Sequence, residues 1–87
     1  MKKLNNPFLE HLPLCDLHGE IEDTVPIRLN NFIDEQIILK NNEFIVMHGV
    51  GEGIVKQATH DYLKENKQVK EYYTDPSNHG ITIVKLK

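Results

Sequence analysis

The sequence predicts an α/β fold, a two-layer β-α-β-α-β-β sandwich with a mixed four-stranded sheet and two helices, on three observations. Two segments, 25–40 and 54–66, carry apolar residues at intervals of three and four, the signature of helices with one buried face. A short apolar run precedes each of them, at 14–17 and 44–47. The chain closes on two segments rich in β-formers, 68–74 and 81–86, separated by a turn of Pro, Ser, Asn and Gly. Strands alternating with helices in this way call for right-handed crossovers and helices packed against the sheet.

Taken in order, residues 1–13 read as an N-terminal arm whose Phe8, Leu9 and Leu12 pack on a domain spanning 14–87, because Pro7 and Pro13 bound a stretch too short for an ordinary helix. Leu14-Cys15-Asp16-Leu17 is a strand with Cys15 and Leu17 on one face and Leu14, Asp16 and His18 on the other, ended by Gly19. Asp23 or Thr24 caps the first helix, and Pro26 is tolerated in its first turn. Val25, Leu29, Phe32, Ile33 and Ile37 form its buried stripe, widened by Ile38 and Leu39, and Asn41-Asn42 stops it. Arg28 reads as a solvated charge. Phe44-Ile45-Val46-Met47 shows no alternation, as expected of a strand covered on both faces.

His48-Gly49-Val50-Gly51-Glu52-Gly53 follows that strand and opens the second helix, whose inner side carries Val55, Ala58, Tyr62 and Leu63. Glycines at alternate positions allow positive φ and close approach, and a helix beginning there presents unpaired N–H groups. The stretch fits either an anion cradle or a plain strand-to-helix turn. It matches neither the dinucleotide fingerprint nor the P-loop. Lys56, His60 and Lys64 fall at spacing four, either a solvated row or a face that tracks phosphates. In 68–74, Val69, Glu71 and Tyr73 oppose Lys70 and Tyr72, and Tyr72 or Tyr73 either packs or stacks on a base. Asp75 to Gly80 forms the turn to an antiparallel final strand, 81–86.

Composition narrows the function classes. The 87 residues make one small domain, with 39% apolar and 26% charged residues. The single Cys15 excludes an intrachain disulfide. No apolar run approaches the roughly 20 residues that span a bilayer, and Met1-Lys2-Lys3 leads into no apolar signal core, so a cytoplasmic protein without membrane partners is expected. A net charge of −3 excludes a strongly basic nucleic-acid binder. The charge is uneven: four bases meet eight acids through Phe44, whereas six lysines meet five acids from Ile45 onward. The second half is therefore the candidate footprint for a polyanion.

If the first three strands run parallel, their C-terminal ends share one edge, where open α/β sheets bind ligands. That edge gathers Asp16 and His18, then His48 to Gly53, then Asp75 to Gly80 with His79, and leaves out His11 and His60. Asp16 and His18 project the same way from an extended segment and could act on one ligand; they equally fit a turn in which Asp16 bonds loop N–H groups and His18 is solvated.

Asp16-Leu17-His18-Gly19, His48-Gly49-Val50-Gly51-Glu52-Gly53 and Gly80-Ile81-Thr82-Ile83-Val84 together resemble the small MutS-related domain, Smr, over about Leu14 to Lys87. The resemblance implies a fold similar to the C-terminal domain of translation initiation factor three, with the final strand inserted antiparallel beside the second. It implies DNA or RNA binding and, in several branches, endonuclease cleavage with or without a metal. It ties Asp16 and His18 to cleavage, and His48, Gly49 and Gly51 to substrate binding. Cys15 stands where the family has leucine, Val50 stands where lysine is frequent, and a glycine pair is reduced to His79-Gly80.

The expected function is thus a nucleic-acid-binding domain that nicks branched or structured DNA or RNA. His18 serves as general acid or base, histidine's ordinary pKa lying near neutrality, and Asp16 orients it or holds a divalent ion. Gly49, Gly51 and Gly53, with His48, Lys56 and His79, bind phosphate. Mg2+ or Mn2+ is the candidate cofactor, since magnesium often binds through one or two carboxylates and keeps its water. A second copy of the chain, forming a homodimer across a branched substrate, is a candidate partner. Two alternatives stand beside this reading: a non-catalytic module acting in repair, recombination or ribosome quality control, and a small-molecule phosphate pocket.

Overall fold

The final strand lies inside the sheet. In the computed structural model, which describes residues 11–87, the elements are β1 (Leu14–Asp16), α1 (Val25–Ile38), β2 (Glu43–Met47), α2 (Ile54–Glu65), β3 (Val69–Asp75) and β4 (Asn78–Leu86). The sheet order is β1-β2-β4-β3. β1 runs parallel to β2, with Asp16 opposite Met47, and β4 is antiparallel to both β2 and β3. The arm expected over 1–13 lies, up to residue 10, outside the described residues.

Both helices cover one face. Cys15, Leu17, Phe44, Val46, Val84 and Leu86 from the sheet pack there with Val25, Leu29 and Ile33 of α1 and Leu63 of α2. Phe32 meets Phe44 ring to ring at 5.0 Å. Ile45, Ile81 and Ile83 are buried on the opposite face, with Leu12 and Met47 against them. After Glu43, β2 is an unbroken apolar run because it lies inside the sheet, where Phe44, Ile45 and Val46 are buried from both sides.

Three local expectations are corrected. Ile37, Ile38 and Leu39 are exposed, Ile38 to 78%, and Gln36 takes the inner position at 2% exposure. The reason is periodic: three turns beyond Val25 fall at Gln36, whose Oε1 accepts a hydrogen bond from Asn41 Nδ2 at 3.0 Å. α1 ends at Ile38, two residues short of the expected Lys40. Lys40 takes the left-handed conformation, φ 62°, while the amides of Lys40 and Asn41 bond the carbonyls of Ile37 and Gln36, a Schellman closure. Thr24 is the N-cap by position, but its hydroxyl bonds Ile21 instead of the helix.

In β3 a bulge between Val69 and Glu71 breaks the simple alternation, so Val69 and Tyr72 both pack on the helical side. The expected six-residue turn shrinks to Pro76-Ser77, because Asp75 pairs with Asn78 and β4 starts there. Asp75 Oδ1 accepts the Ser77 amide, and Asn78 Oδ1 accepts that of Gly80, so side chains do the turning.

Candidate nucleic-acid interface

β1 and β2 end at the same edge, and β4 begins there. The amides of His48 and Gly49 both donate to the Gly80 carbonyl, at 3.0 and 2.9 Å. Gly80 has to be small: a Cβ there would lie 3.4 Å from Gly49 Cα and 3.1 Å from Asn78 Oδ1. The loop then turns through Gly49, Gly51 and Gly53, all at positive φ, into α2. Gly53 is an N-cap at φ 82°, a conformation costly for any residue with a Cβ. No side chain caps this helix and no acid sits in its first turn. Its first amides, which have no intrahelical acceptor, lie in the wall of an open cleft of about 240 Å³ lined by His48 through Lys56. That space holds about eight waters at roughly 30 Å³ each.

The cleft's charges are mixed. Lys56 is half-buried in its wall and Glu52 is exposed there. Val50, exposed at the loop's apex, supplies no charge. Gly49's own amide is taken by Gly80, so the loop amides left to meet an anion are those beyond it.

His48 bonds through both ring nitrogens, Nδ1 with the Gly49 carbonyl at 2.8 Å and Nε2 with Thr82 Oγ1 at 2.7 Å. Its imidazole therefore braces the loop. His60 Nε2 lies 2.9 Å from the same Thr82 oxygen, and the two rings stand edge to face at 6.0 Å. Burial pushes the pKa of His48 below its ordinary value; the Gly49 bond opposes this, and the neighbouring His60 and Lys56 add to it. Burial, then Lys56, lowers His60 as well, against Asp61. Both rings are held toward the neutral form.

Asp16 and His18 reach the edge from the other side. Asp16 pairs with Met47, so pleating directs its side chain away from the helices, whereas His48 projects with Val46 toward them. Asp16 Oδ1 accepts the backbone amide of His18 at 2.8 Å, and the His18 ring is exposed. The carboxylate thus holds the turn that carries His18 and does not bond its ring. Cys15, one residue before, is buried, and burial pushes its thiol up to about 11 despite Arg28 nearby, which keeps it un-ionised.

His79 is exposed on β4 and does not line the cleft. The sequence expectation left His60 apart from the sheet edge, and the structure corrects this by joining it to His48 through Thr82; Arg28 is exposed, as expected, and has partners besides solvent. Arg28 Nη2 donates to the Asp16 carbonyl at 3.1 Å, and its Nε lies 3.9 Å from Glu20. His60 carried a signal only as a member of the Lys56, His60, Lys64 row at spacing four, which does not point to His48. Thr82 did leave a signal, as the one polar residue within the apolar run 81–84 of an interior strand.

Among the described residues no three His, Cys, Asp or Glu side chains gather as a metal site. Asp16 stands as a lone carboxylate with one oxygen engaged, which does not fit a dedicated metal centre.

The family model described as Smr domain matches residues 15–87. Curated relatives named endonuclease MutS2 are similar: that of Streptococcus suis is 33% identical over 75 residues and that of Streptococcus mutans 35% over 75 residues, each match covering 83% of this chain and 10% of the relative. The chain spans about a tenth of the length of these relatives. The crystal structure of the Smr domain of Thermus thermophilus MutS2 superposes with a TM-score of 0.83 at 25% identity, covering 87% of this chain and 99% of that one. YdaL, a stand-alone small MutS-related protein from Escherichia coli, gives 0.80 at 18% identity over 100% of this chain and 79% of that one, a likeness of fold.

Proposed function

This chain belongs to the Smr domain family, and from that membership we propose that it binds branched or structured DNA or RNA and cuts it by phosphodiester hydrolysis. The observation that carries the reading is the cleft between the glycine loop and the uncapped start of α2, where backbone amides and Lys56 line one concave surface. A phosphate in that cleft meets aligned N–H groups and the positive end of the helix dipole. Gly51 and Gly53 let the chain approach it, Gly49 and His48 hold the loop's path, and His79, exposed on β4 outside the cleft, meets the nucleic-acid backbone beyond that phosphate.

Cleavage then falls to the Asp16–His18 turn. His18, exposed, takes a proton from the attacking water as its oxygen bonds to phosphorus, and the ester oxygen leaves as the loop amides stabilise the charge that develops. Asp16 fixes the turn that carries the ring.

The test is binding and cleavage of duplex, branched and single-stranded DNA and RNA with Mg2+, Mn2+ or chelator. Affinity for duplex DNA should fall with salt by a log–log slope of about −0.9 per phosphate contact. An Asp16→Ala/His18→Ala variant should fold, bind and cut more slowly. If it nicks as fast as the parent, these residues leave the mechanism; if the parent shows no salt-dependent affinity, the reading fails.

A second reading, a non-catalytic binding module, is favoured by one observation: the Asp16 carboxylate is occupied by a backbone amide of its own turn. Binding without product in all three ionic conditions would select it.

A further inference from the structure

Three residues, one from the start of the loop after β2, one from β4 and one from α2, are joined through one hydroxyl. Thr82 Oγ1, fully buried, lies 2.7 Å from Nε2 of His48 and 2.9 Å from Nε2 of His60. The other ring nitrogen of His48 lies 2.8 Å from the Gly49 carbonyl oxygen. A carbonyl only accepts, so Nδ1 of His48 carries a proton and donates. In the neutral ring Nε2 then only accepts, and the Thr82 hydroxyl donates to it. That engages the hydroxyl's single hydrogen, so His60 donates from Nε2–H into a Thr82 lone pair. Donation runs one way, from α2 through β4 to the loop, and each link fixes the next.

The surroundings favour this neutral arrangement. Lys56 presses positive charge on both rings, Asp61 faces His60 alone, and Tyr72 of β3 meets His60 edge to face at 5.2 Å. The Gly49 peptide is then held at both ends, its amide on Gly80 and its carbonyl on His48.

We propose that Thr82 and His60 are positioning residues that hold His48 in its Nδ1–H tautomer and so keep the Gly49 carbonyl tied back to the imidazole while the later loop amides face an anion. Free imidazole in water favours the opposite tautomer, Nε2–H, so the arrangement is imposed by the fold. A carbonyl released toward the cleft would set a negative dipole against phosphate. This consequence for binding rests on the proposed nucleic-acid function; the tautomer does not.

Long-range 15N–1H correlation spectra of the imidazoles at pH 7.5 test it. The parent should show His48 as Nδ1–H and His60 as Nε2–H. Thr82→Val, which keeps the shape and removes the hydroxyl, should move His48 mainly to Nε2–H, and Thr82→Ser should restore the parent pattern. His60→Leu should shift His48 in the same direction, and His60→Gln, whose amide can donate to Thr82, should reverse that. Affinity for a duplex oligonucleotide should fall about fivefold in Thr82→Val, the equivalent of one net hydrogen bond, and recover in Thr82→Ser. A parent His48 found as Nε2–H overturns the proposal, as does an unchanged His48 tautomer in Thr82→Val or, should that variant not fold, in His60→Leu. If the parent binds no nucleic acid, the functional reading fails while the spectra still decide the tautomer.

Discussion

Arg28 and Asp16 are joined through the backbone: the guanidinium of the first bonds the carbonyl of the second at 3.1 Å, so the first turns of α1 hold the end of β1. The Arg28 side chain is about half exposed, and its pairing with Glu20 at 3.9 Å is long, so its worth to stability is modest. Arg28→Ala should lower unfolding free energy by only about 0.5–1 kcal/mol in urea titration. Its larger effect should be on cleavage, because the released carbonyl frees the turn that presents His18. A nicking rate equal to the parent's would take Arg28 out of the site.

Gly53→Ala tests the backbone alone. Nothing lies within 4 Å of a Cβ built there, yet φ is 82°. The substitution should cost about 1–2 kcal/mol, and the thermal midpoint should drop by at least about 4 °C for a domain of this size. Weaker duplex binding should accompany the loss, since α2 would begin along a different path.

Lys40→Gly should do the reverse. Lys40 closes α1 at φ 62°, where glycine is the usual residue. The closing bonds to Ile37 and Gln36 are backbone bonds and survive the change. Stability should rise by about 0.5–1 kcal/mol, seen as a higher urea midpoint at unchanged m value. A lower midpoint would show that the Lys40 side chain contributes more than its strain removes.

Stability should fall on mild acidification. His48 and His60 both have folded pKa values below the ordinary 6.5, so between that value and their folded values the unfolded chain binds more protons. The stabilisation is complete above about 6.5 and is lost as pH falls through the folded values. The urea midpoint should therefore decline from pH 7.5 toward pH 5. A His48→Gln/His60→Gln variant should decline less over the same range, and equal slopes would show that other groups carry the dependence.

The fold was legible in the sequence because its signals are local and repeated. The stripe of Val25, Leu29 and Ile33 on α1 and the unbroken apolar run of β2 each specify an element without reference to the rest. The pairing of β4 beside β2 is not written in any segment; it entered through the resemblance of three motifs to a family. Errors gathered where geometry outweighed residue type, as when the helical period put Gln36 inside in place of three apolar neighbours, with Asn41 satisfying its amide. The glycine loop could be read from its own residues, whereas its supports could not. His60 is hydrogen-bonded to His48 through Thr82, 22 and 34 residues away respectively, and such a link exists only once the sheet has formed.

β4 hydrogen-bonds to β2 on one side and to β3 on the other, so the ladder between the two halves of the sheet runs entirely through residues 78–86. Those same residues carry the carbonyl and hydroxyl that shape the loop after β2. Until they insert, the loop has its glycines but nothing to bend around. Completion of the sheet and shaping of the glycine loop are therefore one event, because before it the pieces that hold the loop do not share a surface.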